Sequence, residues 1–314
     1  MAPRHSTVSV AQSARLTRLA TMASMSVAVI LIGLKAAAWW VSGSVAMLAS
    51  LADSSLDLLA SMATFYAVRY AAEPPDAEHR FGHGKAEAFA SLMQAGLVFA
   101  SAALIGREAV QKIGHPEALR SEGWAMAVML ISVALTSVLL VVQSRVLKAT
   151  GSVAVSGDRA HYAADLASNI IAFAGIGLAA SLDKPWLDAA AGFLVAAWLV
   201  WGAIGVFRES SLQLMDHELA DDARALIVTL ATEDPRIKGV HQLRTRASGP
   251  VVHMQMHADM DPEISLVEAH QAMIAAERRL LDAFPSADII IHPDPRGRAE
   301  PHGGAFAEHE HEHS

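Results

Sequence analysis

The chain contains no cysteine among its 314 residues. Disulfide frameworks, thiolate metal sites and cysteine nucleophiles are therefore excluded. Charge is scarce too. Only 18% of residues are Asp, Glu, Lys or Arg, and the net charge of −8 argues against nucleic acid as a partner. The first residues lack the short apolar core and small-residue cleavage site of a signal peptide. The first apolar run, from Leu19, is expected to remain as a transmembrane helix.

What is present is apolar. Hydrophobic residues make up 53% of the chain, too much for an ordinary soluble protein and suited to a membrane protein with a soluble part. The 15 histidines point weakly to metal. Six runs have roughly the 20 residues that a span needs. They cover about 15–40, 44–70, 88–113, 123–147, 153–182 and 187–207. The fifth is unusual in carrying Asp158, Arg159, His161 and Asp165.

Basic residues set the expected orientation. Arg4, Arg15, Arg18, Arg69, Arg80, Lys85, Arg145, Lys148, Arg159 and Arg208 fall on one side, and only Lys112, Arg120 and Lys184 lie near loops on the other. The bias predicts cytoplasmic termini. Lys35 sits late in the first span and is expected to snorkel outward.

After Phe207 the composition becomes that of a soluble domain. Residues 221–233 predict an amphipathic helix with an acidic start. Residues 239–246 and 251–260 predict two strands joined at Ser248-Gly249-Pro250. A second helix over 265–284 and a third strand over 287–292 complete an open sheet covered by helices. From Arg296 the chain is rich in Gly, Glu and His and is expected to be disordered. The expected division is an N-terminal segment 1–14, a transmembrane domain 15–208, a cytoplasmic domain 209–295 and a tail 296–314.

Three polar clusters carry chemistry. Asp53 and Asp57 lie four apart inside the second span, which places them on one helix face with about 5–6 Å between Cβ atoms. A carboxylate at that depth costs at least ~2.5 kcal/mol, so its default reading is functional. His161 and Asp165 form a second i, i+4 pair in the fifth span. Counting about 1.5 Å per residue from opposite sides brings both pairs to mid-membrane. Three carboxylates and one imidazole suit tetrahedral Zn²⁺ or a similar ion. The second cluster is Asp76, His79 and His83 in the loop after the second span, which reads equally as a solvated polar loop. The third is in the soluble part. Alternation puts His253, Gln255, His257 and Asp259 on one strand face, with His241, His270, His292 and Asp294 able to converge on it.

Ala52-Asp53-Ser-Ser-Leu-Asp57, Asp76-Ala-Glu-His79-Arg-Phe-Gly-His83-Gly-Lys85-Ala-Glu87 and His161-Tyr-Ala-Ala-Asp165 together resemble the cation diffusion facilitator family, in particular its bacterial zinc/iron efflux members. The resemblance covers about residues 15–295. It implies a membrane all-α six-helix transmembrane domain plus a C-terminal cytoplasmic α/β domain, ferredoxin-like and similar to a metallochaperone. It implies a homodimer in the bacterial inner membrane that exchanges a divalent metal for protons, with Zn²⁺ as substrate and regulatory ligand, Cd²⁺ or Fe²⁺ as other cargoes, and no organic cofactor. The implied transport site is Asp53, Asp57, His161 and Asp165. The implied loop site is Asp76, His79 and His83. The implied cytoplasmic site is His241, His257, His270, His292 and Asp294. Lys85 and Asp216 resemble the family's charge interlock. His253 has no counterpart, and His302, His309, His311 and His313 of the tail lie outside the resemblance.

Two other classes fit less well. A metallohydrolase would need an open coordination position and a nearby base, and no His-Glu-x-x-His pattern is present. A membrane-anchored metal sensor would leave the buried Asp/His set without use.

Overall fold

The computed structural model describes residues 8–42, 45–114, 123–182 and 186–297. The tail histidines, Arg4, Arg120 and Lys184 lie outside the described residues. The chain divides into two compact units, Met1–His217 with Ala247–Val251, and Glu218–Arg246 with Val252–Ser314.

The first unit is built from six long helices. They are α1 (Val10–Ser42), α2 (Val45–Ala71), α3 (Ala86–Gly114), α4 (Gly123–Thr150), α5 (Val153–Leu182) and α6 (Trp186–Leu214). Among the described residues four of them, α1, α3, α4 and α6, are long and apolar enough to cross a membrane. The other two, α2 and α5, are the helices that carry the Asp and His pairs. Apolar side chains point outward all along this unit, among them Leu19, Val29, Leu59, Leu104, Leu194 and Trp201. In water such a surface would be an association liability; in a bilayer it is the lipid-facing surface.

Inside, the helices meet through small residues. Val98, Ala102, Ala164, Val195, Leu199 and Ala203 join α3, α5 and α6 in one buried cluster. Gly157 on α5 lies so close to α3 that a Cβ there would stand 2.8 Å from Ser91 Oγ and 2.9 Å from Ser91 Cα. Lipid tails are as apolar as these side chains, so close backbone approach rather than hydrophobic transfer holds the helices together. The turn between α4 and α5 is made by Gly151 at φ +63°. Glu87, at the start of α3, accepts a 2.5 Å hydrogen bond from Ser152 Oγ and so fastens this turn.

The second unit has the order α7 (Asp221–Ala231), β1 (Ile237–Ser248), β2 (Val251–Met260), α8 (Leu266–Ala283) and β3 (Ala287–Pro295). The sheet order is β1-β2-β3, and β2 and β3 run parallel across the α8 crossover. Gly249, at φ +57°, makes the β1–β2 turn, as its Ser-Gly-Pro sequence predicts. Helix α8 starts with a capping box in which Ser265 and Glu268 satisfy each other's backbone N–H. Its alanine stripe, Ala269, Ala272 and Ala276, packs on Ile237, Ala258 and Met260 of the sheet. The elements agree with the expected ones to within a few residues, β1 and β3 being longer at their ends.

Candidate metal centres

His161 is 5% exposed, and its Nε2 lies 3.1 Å from Asp57 Oδ1 and 3.7 Å from Asp165 Oδ2. Ligand atoms of the three residues all fall within 4.8 Å of one another. In a tetrahedral zinc site with bonds of about 2.0–2.2 Å, neighbouring ligand atoms are about 3.3–3.6 Å apart. The observed spacings bracket that edge length, so the three donors fit a Zn²⁺-sized ion with little rearrangement. Asp53 lies one turn before Asp57 on α2 and is exposed; it does not belong to this compact group.

Next to the site is a residue to which the sequence reading assigned no role. Asp158, one turn before His161 on α5, is 1% exposed. Its Oδ2 accepts hydrogen bonds from Ser24 Oγ at 2.6 Å and Gln143 Nε2 at 2.9 Å, and its Oδ1 accepts one from Gln94 Nε2 at 3.4 Å. Those donors come from α1, α4 and α3. Tyr162 adds a hydrogen bond to the Ser24 carbonyl and one shared with Ser61 Oγ of α2. Polar side chains from five helices thus fix the rotation of α5, and with it the direction of His161. The available signal was a set of lone Ser and Gln residues inside apolar runs, which reads as a network only when the helices are assembled.

The loop cluster is also compact. Asp76 Oδ1 accepts the backbone N–H groups of His79 at 2.6 Å and Glu78 at 2.9 Å. These bonds, that of His79 foremost, hold the Asp76 carboxyl below the usual carboxylate range. His79 Nδ1 is 3.2 Å from Asp76 Oδ1, and His83 Nε2 is 3.4 Å from Asp76 Oδ2. His83 Nδ1 stands 3.4 Å from the Glu73 carbonyl. Donation of its proton there leaves Nε2 with a lone pair facing Asp76, the usual arrangement of a ligating imidazole. Gly82, at φ +79°, supplies the tight turn between His79 and His83.

In the second unit Asp294 is the centre. Its carboxylate lies 2.8 Å from His257 Nδ1, 3.3 Å from His241 Nε2 and 3.2 Å from His292 Nε2. The parallel register sets His257 beside His292 and Asp259 beside Asp294, so alternation brings all four onto one face. Asp259, 3.6 Å from His241, is an additional donor that the sequence reading placed on this face without assigning it to the metal set. His270 is exposed on α8 and falls outside the compact group of His241, His257 and Asp294. His253 is buried and lies 3.0 Å from Asp288, away from this set. Here too the donor spacing fits a first-row divalent ion.

Lys85 Nζ is 3.0 Å from Asp216 Oδ1 and also donates to the Leu214 carbonyl at 3.3 Å, tying the start of α3 to the end of α6. Lys35 departs from expectation. Its Nζ turns inward to α2, donating to Ser54 Oγ at 2.6 Å and to the Ser50 carbonyl at 3.2 Å.

Comparison with known proteins accords with this geometry. The family model of the cation efflux transmembrane domain matches residues 21–215, and that of the cation efflux protein cytoplasmic domain matches residues 219–296. The chain belongs to the cation efflux family. Its relatives include the cation-efflux pump FieF of Shewanella oneidensis, 39% identical over 281 residues, which are 88% of this chain and 94% of the relative. The cation-efflux pump FieF of Yersinia enterocolitica is 38% identical over 289 residues, 90% of this chain and 94% of the relative. A solved chain described as a putative zinc transporter, CzrB, in a zinc form aligns with 27% of this chain and 98% of its own, at 30% identity and a TM-score of 0.26. A membrane transporter of metal cations is the function that this membership states, and it sets aside the enzyme reading.

Proposed function

We propose that this cation efflux protein exports Zn²⁺ from the cytoplasm in exchange for protons, as a homodimer of six-span protomers with cytoplasmic termini. The observation that carries the proposal is the His161 imidazole held between Asp57 and Asp165 from two different helices. A nitrogen donor among carboxylates favours Zn²⁺ and Cd²⁺ over Mn²⁺, which prefers oxygen. Asp53, one turn from Asp57 on the same helix, is the fourth ligand once α2 rotates slightly to bring it in.

Metal requires these ligands deprotonated, and protons arriving from outside compete for them. The metal-loaded and proton-loaded forms prefer opposite-facing conformations, which is alternating access around one fixed site. The cytoplasmic set at His241, His257, His270, His292 and Asp294 and the loop set at Asp76, His79 and His83 act as regulatory Zn²⁺ sites, and the matched cytoplasmic domain carries the dimer contact. Lys85 and Asp216 secure α3 against α6 while the site moves. Tests use purified protein in proteoliposomes with an imposed pH gradient and a panel of Zn²⁺, Cd²⁺, Fe²⁺, Co²⁺ and Mn²⁺. Zn²⁺ and Cd²⁺ uptake that dissipates the gradient is expected. Uptake without proton movement would overturn the antiport, and no uptake of any ion would favour the sensor.

A further inference from the structure

The exposed faces of α1 and α4 change character at one end. On α1 the exposed positions run from Val29 through Met22 and Leu19 to Arg18 and Arg15. On α4 they run from Val138 and Val141 to Arg145 and Lys148. Steps of mostly three and four residues keep each series on one helix face, so an apolar stripe ends in cations on both helices. Ala20 of α1 and Leu147 of α4 share one buried cluster with Val155 of α5. Arg18 and Lys148 flank that contact in sequence, and Arg15 and Arg145 lie within about two turns of it. The two cationic ends are therefore side by side.

Neither helix can neutralise this charge. The chain has no Asp or Glu before Asp53 and none between Glu122 and Asp158. On the neighbouring helices the Asp158 carboxylate is held by Ser24, Gln94 and Gln143, and that of Glu209 accepts from Ser156 Oγ at 3.3 Å. A fifth cation joins the same level. Arg159 of α5 donates from Nε to Ser144 Oγ at 2.8 Å, beside Arg145 in the chain. A guanidinium carries five N–H donors in a fork that suits phosphate oxygens, and this hydroxyl takes one of them.

We propose that this end of the α1–α4 face binds the phosphate headgroup of an anionic phospholipid. The charge selects an anion, because four exposed cations meet no carboxylate on either helix. The apolar stripe selects a lipid over a soluble phosphate, because acyl chains lie along Val29, Met22 and Val138 while the headgroup meets Arg and Lys. The site is separate from the three metal centres and holds whichever ion is carried.

Full-length protein in detergent is titrated with phosphatidylglycerol or with phosphatidylcholine of the same acyl chains, and bound lipid is counted by native mass spectrometry. Wild type should prefer phosphatidylglycerol. Arg18→Gln with Arg145→Gln, one change on each helix, should cut that preference about twenty-five-fold, at about fivefold per charge. Arg18→Lys with Arg145→Lys keeps the charge and should keep most of the preference. Arg69→Gln with Arg208→Gln removes equal charge from exposed positions on α2 and α6 and should stay near wild type. Equal loss in the two Gln doubles would overturn the proposal, since net charge rather than this face would then attract the lipid. An unchanged preference in the first double would overturn it too, as would displacement of the bound lipid by inorganic phosphate. If Arg18→Gln with Arg145→Gln does not fold, Arg145→Gln alone takes its place, with a loss of about fivefold expected and no loss refuting the site.

Discussion

Asp57→Asn is the most informative single change at the proposed transport site. It keeps the shape and one oxygen of the side chain and removes its charge. Asp57 Oδ1 stands 3.1 Å from His161 Nε2, and the Asp57 and His161 side chains are 15% and 6% exposed, so bulk water screens the loss poorly. Removing one partner from a buried charged set costs about 3–5 kcal/mol. At about 1.4 kcal/mol per decade, the lower bound already weakens metal binding about a hundredfold. The assay is Zn²⁺ titration of purified protein, paired with uptake into vesicles at metal concentrations near the wild-type KM. Ser55→Ala serves as a control, because its hydroxyl bonds back to the Leu51 carbonyl of its own helix. An Asp57→Asn protein that stays folded and binds Zn²⁺ within threefold of wild type would refute the reasoning, since the distances would then describe a structural pair.

Three further outcomes are expected. His161→Asp exchanges the nitrogen donor for oxygen, so Mn²⁺ should compete with Zn²⁺ at comparable concentrations; an unchanged ion ranking in competition uptake would count against His161 as a ligand. In the fragment 208–295, Zn²⁺ should raise the melting temperature by mass action. His257→Ala, which removes the imidazole 2.8 Å from Asp294, should abolish most of that rise, whereas deleting the tail after Pro295 from the full chain should leave Zn²⁺ stabilisation of the domain in place. Asp234 is pushed down to about 2 by its hydrogen bonds to Arg236. A carboxylate whose folded value is depressed contributes stability that is complete above its unfolded value of 3.8 and is lost as pH falls towards about 2. Asp234→Asn should therefore flatten the acid side of the fragment's melting profile between those limits, and parallel profiles for the two proteins would show that the pair contributes nothing.

How much could be read in advance differs from element to element. Helices α1 to α6 and the αββαβ order of the second unit were legible because span length, period-two alternation, the Ser-Gly-Pro turn and the Ser265–Glu268 cap are local signals. The i, i+4 pairs Asp53/Asp57 and His161/Asp165 were visible for the same reason, although only Asp57, His161 and Asp165 form the compact group. An i, i+4 spacing on one helix needs no partner to be recognised, and a carboxylate in an apolar run is conspicuous by its cost. Sequence alone therefore determined that this is a membrane protein with buried Asp and His donors and which residue types they offer. Tertiary structure decided the rest. It brought Asp57 within 3.1 Å of His161 across 104 positions of chain, drew Ser24, Gln94 and Gln143 onto Asp158, centred three imidazoles on Asp294, and turned Lys35 inward. Each of these depends on the rotation of one element about its axis relative to another. That rotation is set by contacts between residues far apart in sequence, such as Gly157 against Ser91, and no local pattern encodes it.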